Sequence, residues 1–113
     1  MKQKTPVERA RLAAPMVVAS MLLPIGAVRA APAAHTVTIE NMQFNPPTLA
    51  VKRGDRVTWV NKDLFPHTAT AARAFDSRAI APNATWTWRA GASGRHDYVC
   101  TLHPTMKATL VVE

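Results

Sequence analysis

Hydrophobic and polar positions alternate with period two along most of residues 35–113. His35-Thr36-Val37-Thr38-Ile39-Glu40 has the alternation of a half-buried strand. Pro46-Pro47 interrupts the pattern, and Leu49 to Lys52 resumes it. After a turn at Gly54-Asp55, Arg56-Val57-Thr58-Trp59-Val60 is rich in β-branched and aromatic residues and predicts another strand. Residues 61–67 predict a loop that contains Pro66, and Thr68 to Ala72 a short strand. Residues 73–84 lack a period and include a Pro82-Asn83 turn. Thr85-Trp86-Thr87-Trp88-Arg89 alternates again and puts both indoles on one face, as core residues. Gly91 to Gly94 turns the chain into the strand Arg95 to Cys100, and Lys107 to Val112 predicts the last one. About seven short strands, evenly spaced turns and no helical period predict an all-β fold, an antiparallel β-sandwich.

The first thirty residues follow a different logic. Lys2, Lys4, Arg9 and Arg11 form a basic head, an apolar stretch runs from Leu12 to Val28, and small residues Ala30-Ala31-Pro32-Ala33-Ala34 follow. That order predicts a secretory signal peptide over 1–30, an Ala/Pro linker over 31–34 and one domain over 35–113. Cleavage is expected after Ala30, with Ala33 as the alternative. An uncleaved anchor fits less well, because Pro15 and Pro24 interrupt a run already short for a bilayer span of roughly 20 apolar residues. Arg9-Ala10-Arg11 is not a twin-arginine pair, so the general secretion route is expected, with no membrane span after cleavage.

Removing 1–30 changes the charge picture. The formal net charge is +7 for the 113 residues, and losing Lys2, Lys4, Arg9, Arg11, Arg29 and Glu8 leaves +3. No patch of basic residues interleaved with stacking aromatics remains, which argues against a nucleic-acid partner. Cys100 is the only cysteine, so no intramolecular disulfide forms. In an oxidising compartment such a thiol must be buried, or its sulfur must be occupied.

The chemistry concentrates near the C-terminus, in Cys100-Thr101-Leu102-His103-Pro104-Thr105-Met106. Three side chains that bind soft metals recur every third residue in a short loop between strands. His67, in the loop after the Trp59 strand, offers a second imidazole. Thiolate and imidazole bind copper in both redox states, and a weak thioether completes the set without imposing a square plane. Structural zinc takes more cysteines, a c-type haem needs two, and calcium or magnesium wants oxygen donors. A cysteine–histidine nucleophile pair would leave Met106 without a role and lacks an oxyanion loop. Taken singly, Met106 reads as core filler, Cys100 as a small buried hydrophobe and His67 as an ordinary loop residue; their joint order points to metal. Of the other histidines, His35 is expected to be solvated and His96 half-buried, neither a ligand.

With Val57-Thr58-Trp59-Val60-Asn61, Pro66-His67, Asp97-Tyr98-Val99-Cys100-Thr101, His103-Pro104 and Met106, the chain from about His35 to Glu113 resembles the cupredoxins, in particular the amicyanin group. The resemblance implies a Greek-key sandwich of about eight strands, with one type 1 copper ion at one end on His67, Cys100, His103 and Met106. It also implies a bacterial periplasmic electron carrier and not an enzyme. Such a monomer serves transient redox partners such as a c-type cytochrome or a periplasmic dehydrogenase. The alternative is a protein that delivers or buffers copper without redox turnover. The docking face implied is an apolar patch of Phe65, Pro66, Leu102, His103 and Pro104, with Lys62, Arg73, Arg95 and Lys107 as candidates for a basic rim. The chain departs from the group at Thr68, where Asn is usual and braces the cysteine loop. It departs also at Leu102 for Pro, Thr105 for Phe and His96 for Tyr. Its segment between His67 and Cys100 is shorter than in the group, which leaves the partner open.

Overall fold

The alternating stretches become nine strands in two layers. The structure, a computed structural model, describes residues 14–20, 22 and 31–113, so the segment read as a signal peptide lies mostly outside the described residues. The strands are β1 Ala34–Glu40, β2 Gln43–Asn45, β3 Thr48–Val51, β4 Arg56–Asn61, β5 Thr70–Ala71, β6 Phe75–Asp76, β7 Thr85–Arg89, β8 Gly94–Cys100 and β9 His103–Val112. One sheet has the order β2-β1-β4-β7 and the other β3-β9-β8-β5-β6. The all-β sandwich is therefore as expected, and most neighbouring strands are antiparallel. Two pairs are parallel: β1 with β4, and β3 with β9. Period-two alternation reports which face a residue occupies and not the direction of its neighbour, so it could not separate the two kinds of pair. The region 73–84, read as irregular, contributes the two-residue strand β6, which pairs with β5.

Alternation explains the core. Val37 and Ile39 of β1, and Val57 and Trp59 of β4, point inward from the first sheet; Tyr98 and Cys100 of β8, and Met106, Ala108, Leu110 and Val112 of β9, point inward from the second. The layers meet at aromatic contacts: Trp59 lies edge-on to Tyr98 at 5.6 Å and 89°, and Phe44 packs on Tyr98 at 4.8 Å. Such T-shaped pairs contribute about 0.5–1.5 kcal/mol beyond their buried area. Trp86 and Trp88 are half-buried against this core, Trp86 at 5.4 Å from Trp59. Trp59 and Tyr98 each stand two residues before the end of their strands. The core therefore brings the ends of β4 and β8 together, and that end carries the site.

The opposite end is closed by Asp55. Its carboxylate accepts the backbone amides of Lys52 at 2.9 Å and Ala33 at 3.0 Å and lies 2.9 Å from His35 Nε2. The Lys52 amide, then the His35 ring and the Ala33 amide, hold the Asp55 carboxyl down to about 2. His35, expected to be solvated, is instead held against Asp55 and half-buried, because the parallel pairing of β1 with β4 brings the two elements side by side.

Candidate metal centre

Cys100 and His103 are placed by one hairpin. β8 ends at Cys100 and β9 begins at His103, with Thr101-Leu102 as the turn, so the two residues face each other in the pairing register after an irregularity at Val99/Cys100. The sequence reading put His103 and Met106 in a loop and began the last strand at Lys107. In the structure both lie on β9, because the turn needs only two residues.

His67 lies in the connection that crosses from β4 in one sheet to β5 in the other. At the end of β4, Asn61 is fully buried; its Nδ2 donates to the carbonyls of Phe65 at 2.7 Å and Ile80 at 2.9 Å, and its Oδ1 accepts the Asp63 amide at 2.9 Å. One asparagine thus shapes the loop 62–66. His67 is then clamped to Ile80 by reciprocal backbone bonds of 3.1 and 2.7 Å. His67 and Cys100 are fully buried, and His103 is half-buried.

The three side chains converge. One ligand atom from each of His67, Cys100 and His103 lies within 4.8 Å of the others. Cys100 Sγ stands 3.7 Å from Nδ1 of His67 and 3.7 Å from Nδ1 of His103, and the imidazoles meet edge to face with centroids 5.0 Å apart. A thiolate at about 2.3 Å and an imidazole at about 2.0 Å from one first-row cation stand about 3.7 Å apart at a trigonal angle. Both observed sulfur–nitrogen separations have that length. Met106 is 3 % exposed, three residues along β9 from His103.

Asp63 was not legible as part of the site. Its Oδ2 lies 2.8 Å from Nε2 of His67, while its two oxygens also accept the amides of Asn41 at 2.7 Å and Met42 at 2.9 Å. A carboxylate at Nε2 keeps the ring proton there and leaves the Nδ1 lone pair facing Cys100. Burial works against the ionised form of Asp63, but the Met42 amide, the His67 ring and the Asn41 amide outweigh it and hold the carboxyl below its ordinary range. The carboxylate four residues before a histidine in a loop carries no periodic signal. It becomes visible only once the β1–β2 turn, where Asn41 and Met42 have φ of 53° and 60°, is folded against it.

Thr68 braces the cysteine loop in place of the usual Asn. Its amide donates to Cys100 Sγ at 3.3 Å, and its Oγ1 accepts the Thr101 amide at 2.8 Å. The hydroxyl fixes the residue after the cysteine, while the backbone fixes the sulfur. His96, as expected, is half-buried and away from the site, with Nε2 3.2 Å from the Ala92 carbonyl.

Comparison with known proteins supports the same reading. The sequence pattern of the cupredoxin-like domain matches residues 12–112. The chain is similar to amicyanin-alpha of Methylorubrum extorquens, 36% identical over 94 residues that cover 77% of this chain and 79% of that protein. It is also similar to amicyanin of Paracoccus denitrificans, 32% identical over 96 residues, covering 80% and 73% respectively. A solved structure of a point variant of amicyanin in its Cu(I) form superposes with a TM-score of 0.68 at 32% identity, covering 75% of this chain and 87% of that one. With the sandwich, the hairpin and the convergent sulfur and nitrogens in agreement with these likenesses, this chain belongs to the cupredoxin-like family.

Proposed function

We propose that this protein is a type 1 copper electron carrier that works in the periplasm after export, with copper held by His67, Cys100, His103 and Met106. The observation that carries the proposal is the convergence of the Cys100 sulfur and two Nδ1 atoms, each nitrogen 3.7 Å from the sulfur. When bound, copper supplies a one-electron couple. The chain's own part is to hold the donors still. Cys100 and His103 sit on paired strands, His67 is clamped to Ile80 on its backbone and to Asp63 on its ring, and Met106 lies on the rigid strand β9. Donors held this way move little between redox states, so single electrons pass from donor to acceptor with little rearrangement. A delivery protein would be served by an open, exchangeable site, whereas His67 and Cys100 are sealed from solvent.

Exit is through the exposed end. Leu64, Phe65 and Leu102 are exposed around the half-buried His103, an apolar face suited to small transient interfaces with redox proteins. Lys62 and Lys107 flank this end. Arg95 does not: it is the second residue of β8, five residues before Cys100 and roughly 16 Å away along a strand, and it pairs with Asp97 at 3.0 Å. Among the described residues no helix is long and apolar enough to cross a membrane.

Copper titration followed by visible spectroscopy tests the assignment. An intense thiolate-to-copper band that bleaches and returns on reduction and reoxidation is expected. Cys100→Ser should remove the band while far-UV circular dichroism stays that of the sandwich, and Met106→Gln should keep a coloured site with a shifted potential. A blue Cys100→Ser protein, or a colourless protein that holds only cuprous ion, would overturn the reading.

A further inference from the structure

The brace on the cysteine loop continues beyond Thr68. Thr68 Oγ1, on a residue 4% exposed, lies within 3.0 Å of three polar atoms: the Thr101 amide at 2.8 Å, Thr101 Oγ1 at 3.0 Å and Thr70 Oγ1 at 3.0 Å. Thr70 Oγ1 in turn lies 3.2 Å from Asp76 Oδ1, which also accepts the Arg78 amide at 2.8 Å. Register supports the geometry, because Thr70 pairs with Asp76 on one side and with Val99, next to Cys100, on the other.

Proton counting orders this chain. A hydroxyl has one proton and two lone pairs, a carboxylate only accepts, and a backbone amide only donates. Thr70 Oγ1 is the donor toward both Thr68 Oγ1 and Asp76 Oδ1, so its one proton is shared between them and the Asp76 contact holds the Thr70 hydroxyl in place. Thr68 Oγ1 accepts from Thr70 and from the Thr101 amide, which uses both of its lone pairs, and its own proton goes to Thr101 Oγ1.

We propose that Thr68, Thr70 and Asp76 form a proton-ordered hydroxyl chain that positions the cysteine loop. It keeps the Thr101 amide on Thr68 and off the sulfur, so that among the described residues Cys100 Sγ receives one backbone donor, the Thr68 amide. The effect on the copper site rests on the function proposed above, since hydrogen bonding at the cysteine sulfur tunes the potential of such centres. The effect on the Thr101 amide does not. All three are positioning residues.

The test uses substitutions at residues that are not metal donors. Thr70→Val and Asp76→Ala break the chain, whereas Thr70→Ser retains the hydroxyl and Asp76→Asn retains the Oδ1 acceptor. Amide hydrogen exchange in the copper-free protein should show protection of Thr101 falling about tenfold in the two breaking variants, the scale of one net hydrogen bond. It should stay at the parent value in Thr70→Ser and Asp76→Asn. In the copper-loaded protein the same two breaking variants should shift the thiolate-to-copper band and the midpoint potential, and the two conservative ones should not. Unchanged Thr101 protection in Thr70→Val overturns the chain. Lost protection with band and potential unmoved overturns its role at the sulfur and leaves a structural staple. If the parent protein shows no band at all, the copper reading has failed, and the exchange measurement still decides the chain.

Discussion

Replacing Asp63 by Asn separates what this carboxylate does for the fold from what it does for the metal. The change keeps size and one acceptor oxygen but removes the charge. In the better orientation the remaining oxygen takes the place of Oδ2 and still accepts from Met42 and His67, while the new NH₂ faces the Asn41 amide that lies 2.7 Å from Oδ1. Two surviving bonds fall from charged to neutral strength and one donor loses its acceptor. At a side chain only 12% exposed, this costs about 1–3 kcal/mol, or several degrees of melting temperature in the copper-free protein. The metal consequence is separate. A hydrogen-bonded partner of a ligating histidine is worth about 10–100-fold in metal affinity, and removing a negative charge beside the donor set disfavours Cu(II) more than Cu(I). Chelator competition should therefore show weaker Cu(II) binding by that factor, and voltammetry a higher potential. If the copper-free protein melts earlier while affinity and potential stay at parent values, Asp63 serves the β1–β2 turn alone and its role on His67 is refuted.

Acid should weaken the end that Asp55 closes. The Asp55 carboxyl is held down to about 2 in the folded protein against an ordinary 3.8, so its contribution is complete above about pH 4 and is lost as pH falls toward 2. Thermal melts of Asp55→Asn should start lower at neutral pH and decline less between pH 4 and 2 than the parent; equal slopes would contradict the linkage. Asp63 contributes with the same sign, so the remaining decline should not vanish. In the core, Leu110 is fully buried on β9, four residues beyond Met106. Leu110→Ala should cost about 2–5 kcal/mol in urea unfolding of the copper-free protein and leave the colour of the loaded site unchanged.

Much of the fold and of the donor set was legible in the order of the residues, for identifiable reasons. Alternation in β1, β4, β7 and β8 is a property of neighbouring residues, so it could be read directly, and the spacing Cys100-x-x-His103 is short enough for one hairpin to bring both to a point. Features that depend on distant partners were not legible, because packing alone brings those partners together. His67 is 33 residues from Cys100, and the two meet because β5, just after His67, pairs with β8 while Trp59 packs on Tyr98 across the layers. Period two says which face a residue occupies and nothing about its neighbour, so the parallel pairs β1–β4 and β3–β9 stayed hidden, as did the contact between His35 and Asp55. The same holds for Asp63 and Asp76, ordinary loop and edge carboxylates by pattern, whose roles come from hydrogen bonds that form only when separate turns close on them. The ligand types were written in the chain; the carboxylates and hydroxyls that orient them were chosen by the fold.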